Sequence, residues 1–382
     1  MSNGTEPDYY KAEAYGVGLD QNPLSRSATA DFRSEVLSVN NYHKEGLLTD
    51  FGNGRAWWLV SDEGKYMGGT ELGPAPLMYW LVGMEATISA AIAEQMRDRK
   101  ISCSSIEVLL RQDYGFSGSF SKGDAAGFPG PLTVKVSLNC DAPQELQDEI
   151  LALVIRETRV FDPVEKTVHS NFSLYANGRA VNLPGITQGA DRAKDDPFLR
   201  HTTKPGPAVT KNQMNKQTTS PLLQRRTAGT LNPHVPEGHE FDERTWFSLT
   251  SAGVYDFAQQ VVRSVSELSG SRSRRWEFLS DPAGHKAPTP FGLLSIGVAF
   301  CFHTQLARFA KVRRMDLEQP RLLQDSSLLT ENQSFETHVF VNGHQGEEAA
   351  SSLVKVAMNT CYAHKSLNAD LKVVTNIRED KS

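Results

Sequence analysis

Apolar positions along the 382-residue chain fall into runs of three kinds. Two runs are long and almost unbroken: 77–96, entered through Pro74-Ala75-Pro76, and 291–312, entered through Pro288-Thr289-Pro290. Proline fixes a helical φ and lacks the N–H that a first turn leaves unpaired, so both runs predict helices, and their apolar character predicts burial. Two further segments, 144–156 and 347–359, repeat apolar residues at helical spacing and predict amphipathic helices, the first started by Asp141 or Ala142-Pro143. The remaining runs are short. Ala56-Trp57-Trp58-Leu59-Val60, 101–111, 132–138 and 172–181 alternate or carry β-branched residues and predict strands, with the glycine-rich 114–131 as a hairpin between the second and third. Trp276-Glu277-Phe278-Leu279, 317–329, 336–341 and 371–374 predict a later set.

The order strand, turn, proline entry, apolar helix, strands, amphipathic helix, strand therefore occurs twice, which predicts an internal duplication. Pairing Pro76 with Pro290 aligns the two apolar helices without a gap at an offset of 214 (290 − 76). Pairing the turn that begins at Asp162 with the one that begins at Cys361 gives 199 (361 − 162), and the longer hairpin of the first copy accounts for the difference. Expected boundaries are a polar N-terminal arm at 1–30, a first domain at 31–183, a linker at 184–242 rich in Gly, Pro, Thr, Lys and Gln, and a second domain at 243–382.

Composition narrows the function. With 39% hydrophobic and 22% charged residues the chain can bury a sizeable core. Lys and Arg total 40 against 45 acidic residues, a net charge of −5, so nothing electrostatic favours nucleic acid as a partner. No apolar run reads as the roughly 18-residue stretch of a membrane span, and the polar start 1–10 does not resemble a signal peptide. A cytoplasmic protein is expected. Cys103, Cys140, Cys301 and Cys361 are too few for a disulfide scaffold, and in a reducing compartment they are buried or chemically employed thiols.

Ser61-Asp62-Glu63-Gly64, Gly68-Gly69 and Pro74-Ala75-Pro76 in the first copy, with Ser280-Asp281, Pro288-Thr289-Pro290 and Ala299-Phe300-Cys301-Phe302 in the second, resemble the OsmC/Ohr family of thiol-dependent hydroperoxide reductases. In that family a helix cysteine follows the turn proline by eleven positions, as Cys301 follows Pro290, and a second cysteine comes about 60 residues later, as Cys361 does (361 − 301 = 60). The resemblance implies an α+β fold: two OsmC-like domains in tandem, each a curved antiparallel sheet around a long central helix, forming an intramolecular pseudo-dimer. It implies that Cys301 is the attacking thiolate and Cys361 the resolving thiol, with no metal or organic cofactor. The first copy has Thr87 and Asp162 at the two cysteine positions, so one working site per chain is expected, the molecule being a monomeric pseudo-dimer or a higher homo-oligomer. The family's glutamate after the turn proline is absent, with Phe291 and Leu77 in its place.

A free thiol is only a few per cent ionised at neutral pH, so a cation is needed near Cys301. Candidates are Arg55 from the first copy, His285 before the helix, His303, His364, and Arg308, which lies two turns along the same helix face. Cys301, His303, Cys361 and His364 can also be read as a zinc set, although residues two apart on a regular helix diverge by about 200°. His364 or His303 beside Cys301 would instead suit a cysteine hydrolase cleaving an acyl or C–C bond. A non-catalytic binding protein using the pocket between copies is the third reading. The expected partners are a small hydrophobic substrate, either an organic hydroperoxide or a carbonyl compound, and a dithiol reductant. Cys103 and Cys140 are expected to be structural thiols.

Overall fold

The computed structural model describes residues 13–16, 30–40, 42–158, 168–189, 196–197, 222–226, 246–268, 275–318, 320–329, 332–367 and 373–378. In chain order these form β1 (Glu13–Gly16), β2 (Phe32–Asn40), β3 (His43–Asp50), β4 (Arg55–Ser61), α1 (Pro76–Asp98), β5 (Cys103–Ser117), β6 (Ala126–Cys140), α2 (Gln144–Glu157), β7 (His169–Ala176), β8 (Arg179–Val181) and β9 (Leu223–Arg226). The later elements are β10 (Trp246–Asp256), β11 (Val261–Leu268), β12 (Arg275–Ser280), α3 (Pro290–Val312), β13 (Arg321–Ser327), β14 (Ser334–Val341), α4 (Glu347–Thr360), α5 (Tyr362–Ser366) and β15 (Val373–Arg378). The fold class is α+β. The strands make two sheets, ordered β1-β4-β3-β2-β13-β14-β7-β8 and β15-β6-β5-β10-β11-β12-β9.

Neither half of the chain owns a sheet, which corrects the expectation of one antiparallel sheet per domain. In the eight-stranded sheet the early meander β2-β3-β4 joins the late hairpin β13-β14 through an antiparallel β2–β13 pair. In the seven-stranded sheet the late meander β10-β11-β12 joins the early hairpin β5-β6 through β10–β5. Each hairpin then takes a parallel neighbour from the opposite half, β7 beside β14 and β15 beside β6, so both sheets are mixed. Two edge strands lie outside the predicted domains. Part of the N-terminal arm pairs with β4 as β1, and part of the linker pairs with β12 as β9. The predicted strand 172–181 is a hairpin, β7 and β8, turned through Asn177 and Gly178, both at positive φ as a tight two-residue turn requires.

α1 lies on the seven-stranded sheet, α3 on the eight-stranded one, and the two helices pack on each other in between. Both start with proline at the first helical position and run for 23 residues. Both are long and apolar enough to cross a membrane by length and composition, contrary to the reading above; most of each is buried in the fold. Glycine allows their close approach. A Cβ on Gly83 would stand 2.7 Å from the Leu294 nitrogen, and one on Gly297 would stand 2.6 Å from the Trp80 nitrogen. Each glycine is seven residues past its own helix's proline and meets the residue four past the other's. The amphipathic helices α2 and α4, 14 residues each, bury Ile150, Leu151 and Val154 in one case and Leu353, Val354 and Ala357 at matching positions in the other.

One buried acid gives the fold a pH dependence. Glu85 of α1 is fully buried and accepts hydrogen bonds from Ser264 of β11 and Ser89, with no cation among its partners in the described residues. Burial pushes its carboxyl from 4.5 up to about 8, against smaller lowering by the serines. The folded state therefore holds a proton that the unfolded chain has released between those two values. The stability from this group is complete below pH 4.5 and falls as pH rises toward 8, by about 1.4 kcal/mol per pH unit. Glu85→Gln should be the more stable form at pH 8, with a smaller difference at pH 5, measured by urea unfolding; equal pH profiles would contradict this.

Candidate functional site

Cys301 sits eleven residues into α3 and Cys361 at the elbow where α4 ends and α5 begins. The elbow arises because Cys361 adopts an extended conformation while its N–H still caps the Ala357 carbonyl at 2.8 Å. The break turns the chain back toward α3 and places the Cys361 thiol near that of Cys301. Cys361 is fully enclosed, whereas Cys301, 2% exposed, reaches a cavity of about 190 Å³. Burial first, then the hydrogen bond and the negative charge of Cys301, push the Cys361 thiol well above its ordinary range.

The cavity draws on both halves of the chain. Ala75, Pro76, Leu77, Phe116, Trp246, Phe247 and Leu268 make its apolar wall, and Glu63, Tyr66, Gln305, Arg308 and Tyr362 supply polar groups. Its size is below the roughly 300–1,000 Å³ of drug-sized sites. Arg308 shares it with Cys301 despite the two turns between them. Its guanidinium lies 4.1 Å from the Phe120 ring centroid and 5.3 Å from that of Phe116, and no described carboxylate is within ion-pair distance. The stacked Phe116 and Phe120 rings thus brace a cation whose charge remains available to the cavity.

Two further charged groups were not singled out from the sequence. Lys44 of β3 is fully buried and donates to the Tyr42 carbonyl at 2.8 Å. Burial lowers its pKa, with Glu63, Asp62 and Cys301 opposing the shift. The Glu63 carboxylate accepts from Thr304, one turn past Cys301, at 3.0 Å, and from Tyr66 at 3.3 Å. Burial raises its pKa and Lys44 lowers it. Its loop is fixed by Asp62, which accepts from the N–H groups of Glu63, Thr70 and Leu72. Lys44 had a signal in the sequence, being the polar member of an inward row that continues through Gly46 and Leu48 on β3.

The remaining candidates separate. The His364 Nδ1 lies 3.2 Å from the Cys361 sulfur, and its ring is surrounded by Phe172, Phe302 and Phe335, with centroids at 5.3, 5.3 and 6.1 Å. Burial pushes its pKa down to about 3, so the ring is neutral, and its Nε2 has no described hydrogen-bond partner. His303 does not join the site. Two positions past Cys301, it turns away and meets the Pro320 carbonyl at 2.7 Å and the Ser38 hydroxyl at 3.1 Å, which also parts it from the proposed zinc set. His285 is exposed in the loop before α3, and Arg55 opens β4; neither lines the cavity.

The first half aligns differently at the second cysteine than the turns suggested. Superposing α2 on α4 puts Thr158 opposite Cys361, at an offset of 203 (361 − 158), with matching extended backbone and the matching cap to Val154. Asp162, the residue expected there, lies outside the described residues. Thr87 of α1 and Thr158 at the end of α2 stand at the points that match Cys301 of α3 and Cys361 at the end of α4, each donating to a carbonyl four residues back. Thr87 lines a separate cavity of about 630 Å³ with Phe291 and Thr289. Leu77, rather than Phe291, is therefore the residue after a turn proline that faces Cys301.

Comparison with known proteins matches part of the chain. A family model described as OsmC-like protein matches residues 283–376, the segment carrying both Cys301 and Cys361. Among solved structures, one similar chain is an OsmC-like hydroperoxide resistance protein from Jannaschia sp. CCS1, at 16% identity and a TM-score of 0.21, covering 33% of this chain and 79% of that one. No curated protein matches the chain. Over residues 283–376 the chain is thus similar to OsmC-like proteins.

Proposed function

We propose that the chain reduces organic hydroperoxides, with Cys301 as the attacking thiolate and Cys361 as the resolving thiol. The observation that carries this reading is Cys301 lining a small, largely apolar cavity together with Arg308, with the Cys361 thiol close behind it. The Cys301 thiolate attacks the terminal peroxide oxygen, the O–O bond breaks, and the alkoxide leaves to become an alcohol. Arg308 and Lys44 supply the positive field that favours the thiolate and the developing alkoxide. Leu77 stands where the family's glutamate would follow the turn proline, and Glu63 brings a carboxylate to the cavity by a different route.

The resulting sulfenic acid is attacked by Cys361, the S–O bond breaks, and hydroxide leaves as water. Cys361 is held as a thiol by burial and must lose its proton in this step. Neutral His364 is in contact to take that proton and return it to the leaving hydroxide. An external dithiol then reduces the Cys301–Cys361 disulfide. The hydrolase reading loses its main support, because the histidine touches Cys361 instead of Cys301.

We further propose that the chain is two OsmC-like copies folded as an intramolecular pseudo-dimer. The equal helix lengths, the reciprocal glycine contacts and the reciprocal strand exchange support this. On this reading the first copy keeps the wall and has lost the chemistry.

The proposal is tested by following hydroperoxide consumption with a dithiol reductant. Arg308→Met should lower kcat/KM by about 10²-fold, the scale of one lost stabilising donor. His364→Phe should leave the burst of sulfenic acid unchanged and slow its conversion to disulfide by about 10²-fold, read by trapping with a sulfenic-acid probe. Absence of any cysteine-dependent hydroperoxide consumption in the unmodified chain would refute the proposal.

A further inference from the structure

The other two cysteines also form a pair. Cys103 begins β5 and Cys140 ends β6, and they stand directly opposite each other in the antiparallel register. Opposite residues in such a ladder have Cα atoms about 4.5–5.5 Å apart, inside the roughly 4.4–6.8 Å that a disulfide spans, so a bond between them needs no backbone displacement. Ser104 is the extra residue of a bulge between Cys103 and Ser105, and its hydroxyl holds the partner strand through the Asn139 carbonyl at 3.1 Å. Cys103 donates to the Ser105 carbonyl at 3.3 Å. Both residues are half-buried and accessible from solvent. Among the described residues no cluster of metal-ligating groups includes them.

We propose that Cys103 and Cys140 are a second redox-active dithiol, which closes to a reversible cross-strand disulfide by exchange with a low-molecular-weight disulfide, independently of Cys301 and Cys361. One thiolate attacks the external disulfide, forming a mixed disulfide and releasing one thiolate. The second cysteine then attacks the protein sulfur of that mixed bond and releases the other. Two protein thiols are oxidised, one external disulfide is reduced to two thiols, and the two protons lost by the protein thiols end on the released thiolates.

The two pairs divide the labour by environment. Burial, and then the neighbouring Cys140, raise Cys103 to about 11, which makes it a slow nucleophile at neutral pH and keeps it out of peroxide chemistry. The pair therefore follows the surrounding thiol–disulfide balance over long times. Its closure ties together the open ends of two strands whose far end carries Phe116 and leads to Phe120, the rings that brace Arg308.

The test uses the full chain with Cys301→Ser and Cys361→Ser, equilibrated in glutathione buffers from fully reduced to fully oxidised. It does not depend on peroxidase activity, so it stands or falls apart from the proposed function. Alkylation and peptide mass mapping should show both remaining thiols lost together to a Cys103–Cys140 linkage, regained on adding excess dithiothreitol. The unsubstituted chain should give the same linkage, which covers a folding defect in the variant. In Cys140→Ser, Cys103 should instead hold a lasting glutathione adduct. Two thiols that stay alkylatable in oxidised buffer, or that carry separate adducts, would overturn the proposal.

Discussion

Serine at position 361 should leave one turnover and no more. Cys361→Ser keeps the Cys301 thiol and its cavity, so a first equivalent of organic hydroperoxide should be consumed at close to the native rate. The sulfenic acid then has no thiol partner, because Cys361 is the cysteine near it. Steady-state turnover with a dithiol should fall by at least about 10²-fold, and Cys301 should accumulate as sulfenic and then sulfinic acid. Cys301→Ala should abolish the first turnover as well. A native-like steady state in Cys361→Ser would mean that the external thiol reaches Cys301 directly, and the resolving role would be lost.

Valine at Gly297 should be among the most damaging substitutions in the molecule outside the site. Its Cβ would enter the space of the Trp80 backbone nitrogen at 2.6 Å, and backbone cannot swing aside as a flexible side chain can. Overpacking a core costs typically about 1–3 kcal/mol, and a clash between two helix backbones belongs at or above the top of that range. Because the cavity is built from both halves, loosening of the α1–α3 crossing should also lower activity in the fraction that remains folded. Gly346→Ala is the control, since a Cβ there meets nothing within 4 Å. It should change stability by less than about 1 kcal/mol, and a comparable small effect for Gly297→Val in chemical denaturation would contradict the crossing described above.

The helices were legible because local rules decide them. Pro76 and Pro290 start α1 and α3 at the predicted residues, and the period of 347–359 differs from α4 by one residue. β2, β3, β10 and β11 were not read. Their polar members, among them Arg33, Glu35, Ser264 and Ser266, are buried, Arg33 and Ser264 against partners from distant sequence, so the alternation that marks a half-exposed strand is absent. Arg33, for instance, is buried because Asp325 of the opposite half accepts from its guanidinium at 2.6 and 2.8 Å. Pairing between halves leaves no trace within either half.

The site divides along the same line. Cys301 and Cys361 were found through spacing, which survives in a linear sequence. His364 was found but attached to the wrong cysteine, since only the elbow at Cys361 determines which sulfur the ring meets. Glu63 was quoted as part of a motif without a role, and Lys44 went unnoticed, because both reach the cavity region by crossing from the first half to α3. Helical rise alone sets Arg308 about 10 Å from Cys301, beyond direct contact. A cavity needs its lining groups to face a common space rather than to touch, and a long side chain braced by Phe116 and Phe120 meets that condition.

The most direct test of the central claim is the disulfide formed by a single equivalent of hydroperoxide. The reduced chain is treated with one equivalent of tert-butyl hydroperoxide, alkylated, digested without reductant and mapped by mass spectrometry. The account predicts a Cys301–Cys361 linkage as the main product, with Cys103 and Cys140 still alkylated because neither lines the cavity and the Cys103 thiol is a poor peroxide nucleophile. Both Cys301 and Cys361 recovered as free thiols, or oxidation appearing first at Cys103 or Cys140, would contradict it.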